Sequence, residues 1–226
     1  MNFIFIILTF LISAVIARIL IPRILLISLR KKLFDIPDDR KIHKRAIPRL
    51  GGVSFFPTTL FAFCLVYAFR LLDGDSISTL YASYLLPELL LFACGMTLLY
   101  LTGIADDLVG VRYRQKFAIQ IFCACLFPLS GLWINDLYGL FGIHELSAYV
   151  GIPFTVLTVV FITNAINLID GIDGLASGLS SVALLVFIFL FISKGLWSYA
   201  MLSAGTFGVL VPFFYYNVFG SVERAR

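Results

Sequence analysis

The chain has 226 residues, of which 61% are hydrophobic and 13% charged, with 17 Lys and Arg against 13 Asp and Glu. Ordinary globular chains are about 45–50% apolar and about 25% charged, whereas mean hydropathy here is +1.01. This balance excludes a soluble enzyme, a disordered tail, a disulfide scaffold and a nucleic-acid module. It predicts an all-α, polytopic transmembrane helix bundle, taken as a single domain over residues 1–226.

In chain order, the first apolar run covers residues 2–29 and has no basic residue before Arg18. It is too long for a signal-peptide core and is expected to be a retained span. Pro22 is expected to kink it or shorten its regular part. Further apolar runs fall at 52–69, 84–103, 117–134, 149–168, 179–192 and 199–219, giving seven predicted spans. In lipid these must be helices, because every backbone group needs an internal partner. The sixth run is short for a hydrocarbon core of about 30 Å. Cys64, Cys94, Cys123 and Cys125 lie inside these runs and are expected as buried thiols rather than disulfides or a zinc site.

Thirteen of the 17 basic residues gather on one side of this map: Arg30 to Lys32, the loop residues Arg40, Lys41, Lys44, Arg45 and Arg49, then Arg112, Arg114, Lys116, Arg224 and Arg226. The positive-inside rule makes that side cytoplasmic, with the N-terminus outside and the C-terminus inside. Eight of the 13 acidic residues share the side, mostly at the mouths of apolar helices. Ionisable groups at membrane depth are costly and are functional candidates.

Three segments carry the chemistry. The loop at 35–52, D-I-P-D-D-R-K-I-H-K-R-A-I-P-R-L-G-G, is shaped by two prolines and a Gly-Gly pair. Its His43, Lys44, Arg45 and Arg49 supply donors for phosphate. At 103–110, G-I-A-D-D-L-V-G places Asp106 and Asp107 side by side. Neighbours on a helix point about 100° apart, so both face one ion only if the helix ends there. The plain structural reading is a helix-end pair neutralised by Arg112 or Arg114; Lys116 beyond them is assigned with the phosphate-binding residues. At 164–178, Asn164, Asn167, Asp170 and Asp173 recur every third residue. A continuous helix would drift by about 60° at each step, so either the chain breaks near Gly171 or only three of the four converge. Two amides followed by two carboxylates offer oxygen ligands, which suit Mg²⁺ or Mn²⁺ better than zinc. Together the segments predict one cytoplasmic-face site for phosphoryl transfer between a soluble phosphorylated donor and a lipid acceptor.

The strings D-x-P-x-x-R-K-x-H-x-x-x-x-P-R-x-G-G, A-D-D-x-x-G and N-x-x-N-x-x-D-G-x-D-G-L-x-x-G resemble, in order and spacing, the polyprenyl-phosphate N-acetylhexosamine-1-phosphate transferases. The likeness runs from about Leu33 to the C-terminus. The first loop is closer to the bacterial undecaprenyl-phosphate GlcNAc-1-phosphate transferase branch than to the branch making the muropeptide lipid precursor. The resemblance implies that undecaprenyl phosphate attacks the β-phosphate of a UDP-N-acetylhexosamine, with Mg²⁺ required and UMP released, at the bacterial inner membrane. It implies acceptor activation and metal–phosphate organisation by Asp106 and Asp107, a metal ligand at Asn167, and acidic positions beside the nucleotide at Asp170 and Asp173. Asp106 and Asp170 join Asn167 as expected metal ligands, with Asn164 and Lys44 toward substrate. Family members have further spans, a G-D-x-G-S-like metal motif and a His-rich cytoplasmic loop. Neither motif occurs in this sequence, which therefore reads as an N-terminal fragment of such a transferase. A homodimer is left open.

Two other readings compete. An intramembrane prenyltransferase would use similar Asp-rich motifs but release diphosphate rather than UMP. A cation transporter would use Asn164, Asn167 and Asp170 as midplane ligands, whereas the polar residues here cluster toward one face.

Overall fold

A computed structural model describes residues 2–31, 34–35, 47–48, 51–73 and 76–219. Among them are seven α-helices: α1 (Asn2–Arg30), α2 (Phe55–Leu72), α3 (Ser76–Val109), α4 (Tyr113–Leu129), α5 (Ala148–Ile169), α6 (Leu175–Ser193) and α7 (Trp197–Phe219). The fold is all-α, and six of these helices are long and apolar enough to cross a membrane. The chain is thus a multi-pass membrane protein.

Most predicted runs reappear as helices, with instructive differences. α1 continues through Pro22 to Arg30 rather than stopping there. Proline is tolerated inside membrane helices because neighbouring groups satisfy the freed carbonyl. The sixth run lengthens to 19 residues in α6, enough to span. The fourth becomes α4, whose 17 residues rise only about 26 Å, and it is the helix that falls short of the spanning length. The count of seven spans is therefore corrected to six candidates plus α4. α3 does not end at Gly103 but carries Asp106 and Asp107 within its last turns. Cys123 is buried, but Cys64, Cys94 and Cys125 are exposed on their helices, contrary to expectation. In lipid an apolar side chain has no need to turn inward, so an apolar run does not imply burial.

The chain packs as two compact units, Met1–Gly74 with Ile169–Arg226, and Asp75–Leu168. In the first, α7 is the central helix, packed on α1, α2 and α6. Its buried face is made of small residues, including Ala200, Ser203, Ala204, Gly205 and Gly208. A Cβ on Gly208 would overlap Ser13 Oγ and lie 2.5 Å from the Phe10 carbonyl oxygen, so glycine lets α1 and α7 approach backbone to backbone. Arg70 at the end of α2 fastens that end of the unit, donating to Ser198 Oγ (3.2 Å) and Asn2 Oδ1 (3.4 Å). The ends of the 35–52 loop meet in a two-residue antiparallel pairing, Phe34–Asp35 with Ile47–Pro48, and a 3₁₀ turn, Gly51–Ser54, leads into α2.

The second unit is α3, α4 and α5, with α3 packed on α4. The chain reverses between α3 and α4 at Gly110 to Arg112 and joins α4 to α5 through a hairpin. This path brings the end of α3, the start of α4 and the end of α5 to one end of the unit.

Candidate active site

The end of α3 is built around Asp106. Gly110 closes the helix, its N–H donating to the Asp106 carbonyl at 3.0 Å. Its φ of +73° is a left-handed conformation that glycine adopts without strain. The Asp106 carboxylate then spans the reversal. Oδ1 accepts from the Val111 N–H at 3.0 Å, and Oδ2 pairs with Lys116 Nζ at 2.7 Å. Lys116 is thus a cation on Asp106. Arg112 is the N-cap of α4, and Arg114 Nε donates to the Tyr113 hydroxyl at 3.0 Å. Asp107 is half-buried and, because the helix continues to Val109, projects about 100° away from Asp106.

Deeper in the unit, Asn164 on α5 donates through Nδ2 to Gln120 Oε1 on α4 (2.8 Å) and to the Val160 carbonyl (2.8 Å). Gln120 was missed by the sequence reading. Its signal is the Lys116/Gln120 spacing of four, which puts two polar residues on one face of an apolar helix. Gln120 also lines an open, largely apolar groove between α3, α4 and α5, with Glu88, Phe92, Met96, Phe127 and Thr163 among its walls. Asn167, in the last turn of α5, is exposed.

α5 ends at Ile169, which resolves the spacing problem of the four polar residues: Asn164 and Asn167 are helical, while Asp170 and Asp173 sit in the turn that follows. Gly174 completes the turn as N-cap of α6 with φ +78°, and a Cβ there would also overlap Val218. Asp170 and Asp173 are solvent-accessible residues. Desolvation by the surrounding chain, and then the like charge of Asp173, push the Asp170 carboxyl above its ordinary value. Two repelling carboxylates in one short turn suit a hard cation. Mg²⁺ commonly binds through one or two carboxylates plus substrate phosphates and waters, so Asp170 and Asp173 fit it. Among the described residues no three His, Cys, Asp or Glu side chains form a self-sufficient metal cage. Each Asp106 oxygen accepts one bond, from Lys116 or the Val111 N–H, and keeps a second lone pair for a further partner. His43, Lys44, Arg45 and Arg49 lie outside the described residues.

The two aspartate motifs, at 106–107 and 170–173, fall inside a recognisable family region. The model of glycosyl transferase family 4 matches residues 89–222, more than half of the chain. The chain belongs to glycosyl transferase family 4. Relatives within reach of this family member carry two kinds of name. It is 29% identical, over 94% of its own length and 55% of the relative's, to the probable undecaprenyl-phosphate N-acetylglucosaminyl 1-phosphate transferase of Bacillus subtilis. It is 31% identical to the undecaprenyl-phosphate alpha-N-acetylglucosaminyl 1-phosphate transferase of Escherichia coli, over 76% of this chain and 44% of the relative. It is 30% identical to the phospho-N-acetylmuramoyl-pentapeptide-transferase of Staphylococcus carnosus, over 81% and 58%. The chain spans about half the length of the curated relatives it matches.

Proposed function

We propose that this chain supplies catalytic carboxylates for transfer of an N-acetylhexosamine-1-phosphate, GlcNAc-1-phosphate first, from its UDP-sugar to undecaprenyl phosphate, in a transferase of its relatives' length. The observation that carries the reading is the family match over 89–222, which contains both aspartate motifs, joined to relatives named for this transfer. The GlcNAc donor is favoured over the muropeptide donor by the His43-containing loop that ends in Pro48, Arg49 and Gly51-Gly52.

In the reaction, an oxygen of the lipid phosphate forms a bond to the β-phosphorus of the donor. The bond from that phosphorus to the bridging oxygen breaks, and UMP leaves with the bridging oxygen. A divalent ion, Mg²⁺ or Mn²⁺, would supply neutralisation of the pyrophosphate charge when bound. Asp170 and Asp173 are the residues proposed to hold it, with Asn167 contributing an amide oxygen. Asp107 is proposed to take the proton of the acceptor phosphate. Asp106 positions Lys116, whose ammonium then meets phosphate oxygens at the start of α4. Asn164, oriented by Gln120, is proposed to face substrate. His43, Lys44, Arg45 and Arg49 are proposed to receive the donor's phosphates. The clustering of basic residues supports a cytoplasmic position for this end, at the bacterial inner membrane, with initiation of a cell-surface polysaccharide as the outcome.

The test is UMP release in lipid nanodiscs from UDP-GlcNAc or UDP-MurNAc-pentapeptide, with undecaprenyl phosphate and Mg²⁺. It is run on this chain and on this chain joined to the unmatched part of the Bacillus subtilis relative. UMP from UDP-GlcNAc supports the proposal. Diphosphate release from a prenyl donor, or metal-dependent ion flux without UMP, would replace it with one of the competing readings.

A further inference from the structure

Residues 130–147 join α4 to α5 and take no part in the chemistry above, yet they are well organised. Asp136 and Glu145 form an antiparallel bridge. The Leu137 N–H donates to the His144 carbonyl (2.9 Å), the Gly139 N–H to the Ile143 carbonyl (3.0 Å), and the Leu146 N–H to the Asn135 carbonyl (2.8 Å). Asp136 Oδ1 accepts from the Tyr138 N–H at 2.6 Å, and a 3₁₀ turn, Leu140–Gly142, forms the tip. Turns facing water normally place Gly, Asn or Asp where φ is positive. Here Tyr138 (φ 51°) and Phe141 (φ 56°) occupy such positions. Both are almost fully exposed, at 87% and 88%, and Leu140 beside them is 58% exposed. A rigid turn that displays three large apolar side chains needs an apolar partner.

The base of the hairpin shows where that partner lies. The Ile134 N–H donates to Thr155 Oγ1 of α5 at 2.8 Å. A Cβ on Gly151 would lie 2.5 Å from the Ile134 carbonyl oxygen and the Trp133 ring, so the segment is pressed against the α5 backbone. Thr155 is about 10 Å along α5 from its start at Ala148. The hairpin base therefore runs beside the first two turns of a membrane-spanning helix. From the Asn135–Leu146 rung, Leu140 and Phe141 each lie five residues along a strand, about 16 Å at about 3.3 Å per residue. Headgroups widen a hydrocarbon core of about 30 Å to about 40–45 Å in total. A hairpin of that length, based beside the first turns of α5, holds its tip at the headgroup layer when it leans along the membrane surface.

We propose that this hairpin is a lipid anchor, seating Tyr138, Leu140 and Phe141 in the interfacial layer of the leaflet at the start of α5. The surface is continuous with the exposed first turn of α5, where Tyr149 and Val150 face outward. Aromatic side chains favour this depth, with apolar rings toward the chains and polar groups toward water. The hairpin's internal hydrogen bonds fix its shape before insertion, so little ordering is needed to seat it. The partner is phospholipid, and the inference stands independently of the transfer reaction.

The experiment places 4-fluorophenylalanine at position 141 of the full chain in phospholipid nanodiscs. The ¹⁹F resonance is then followed with nitroxide-labelled lipid, the label at the headgroup or high on the acyl chain. A reporter at buried Phe63 is the reference. The proposal predicts loss of the position-141 signal to labelled lipid while the position-63 signal survives. A position-141 signal that survives both labelled lipids overturns it. Loss to a water-soluble gadolinium chelate would then place the tip in water, and survival there too would mean that a second copy covers it.

Discussion

The two units of this chain use their helices in opposite ways. In the first, α7 is gripped on several sides, and 39% of its most apolar stretch is buried; in the second, only 6% of the corresponding stretch of α3 is buried. The first unit is held by close backbone approach, with Gly205 and Gly208 against α1 and α2. The second is held by a few polar links, Asp106 with Lys116 and Asn164 with Gln120, around an open groove. Tight small-residue packing makes a scaffold. Sparse packing with a few polar links leaves most of the α3 span exposed.

The largest effect should come from breaking the scaffold. Gly208→Val forces a branched side chain into the Phe10 carbonyl and Ser13, and should cost about 1–3 kcal/mol. Gly103→Val in α3, where an added Cβ meets nothing within 4 Å, should leave thermal unfolding in nanodiscs almost unchanged. Equal losses would erase the distinction between the units.

The polar links come next. Gln120→Leu leaves Asn164 without its acceptor on α4 and should cost about 1 kcal/mol in stability, measured by thermal unfolding. Gln120→Glu keeps an acceptor and should recover most of that loss; failure of both variants alike would mean that side-chain shape, not the hydrogen bond, matters. A smaller stability effect is expected for Lys116→Met. The Lys116–Asp106 pair is about one-third exposed on each side, so solvent screening limits it to about 0.2–1 kcal/mol. Its effect on UMP release should far exceed its effect on unfolding, and a proportional loss of both would make the pair purely structural.

The finest test concerns the turn after α5. Because the fold raises the Asp170 carboxyl, protonation is more favourable in the folded chain than in the unfolded one. Its contribution to stability is present at low pH and is lost as pH rises through the raised value. Asp173→Asn removes the like charge but not the desolvation, so the Asp170 midpoint should move down toward the ordinary carboxylate range. A carboxyl ¹³C titration without divalent ion reads this directly; an unchanged midpoint would remove Asp173 from the Asp170 environment.

Much of this was legible in the sequence, because lipid imposes one strong rule. Apolar runs must be helices, and five of the seven predicted runs were placed nearly where helices occur. The break after Ile169 is one of the two outcomes that the three-residue spacing leaves open, and Gly171 and Gly174 permit it. What escaped was set by contacts between helices. Whether Pro22 ends α1 depends on neighbours, the length of α4 depends on where the Ser130 to Gly131 turn closes it, and the partner of Asn164 sits 44 residues away at Gln120. Asp106 is legible as a charged helix end, but its pairing with Lys116 depends on the turn geometry at Gly110.

The central claim is that the carboxylates of the 170–174 turn carry a metal-dependent sugar-phosphate transfer. Its most direct test is Mg²⁺-dependent UMP release from UDP-GlcNAc by Asp170→Asn in the chain joined to the unmatched part of the Bacillus subtilis relative, with thermal unfolding measured alongside. The account predicts that UMP release is abolished while the unfolding temperature does not fall. Near-wild-type turnover with intact folding would contradict it.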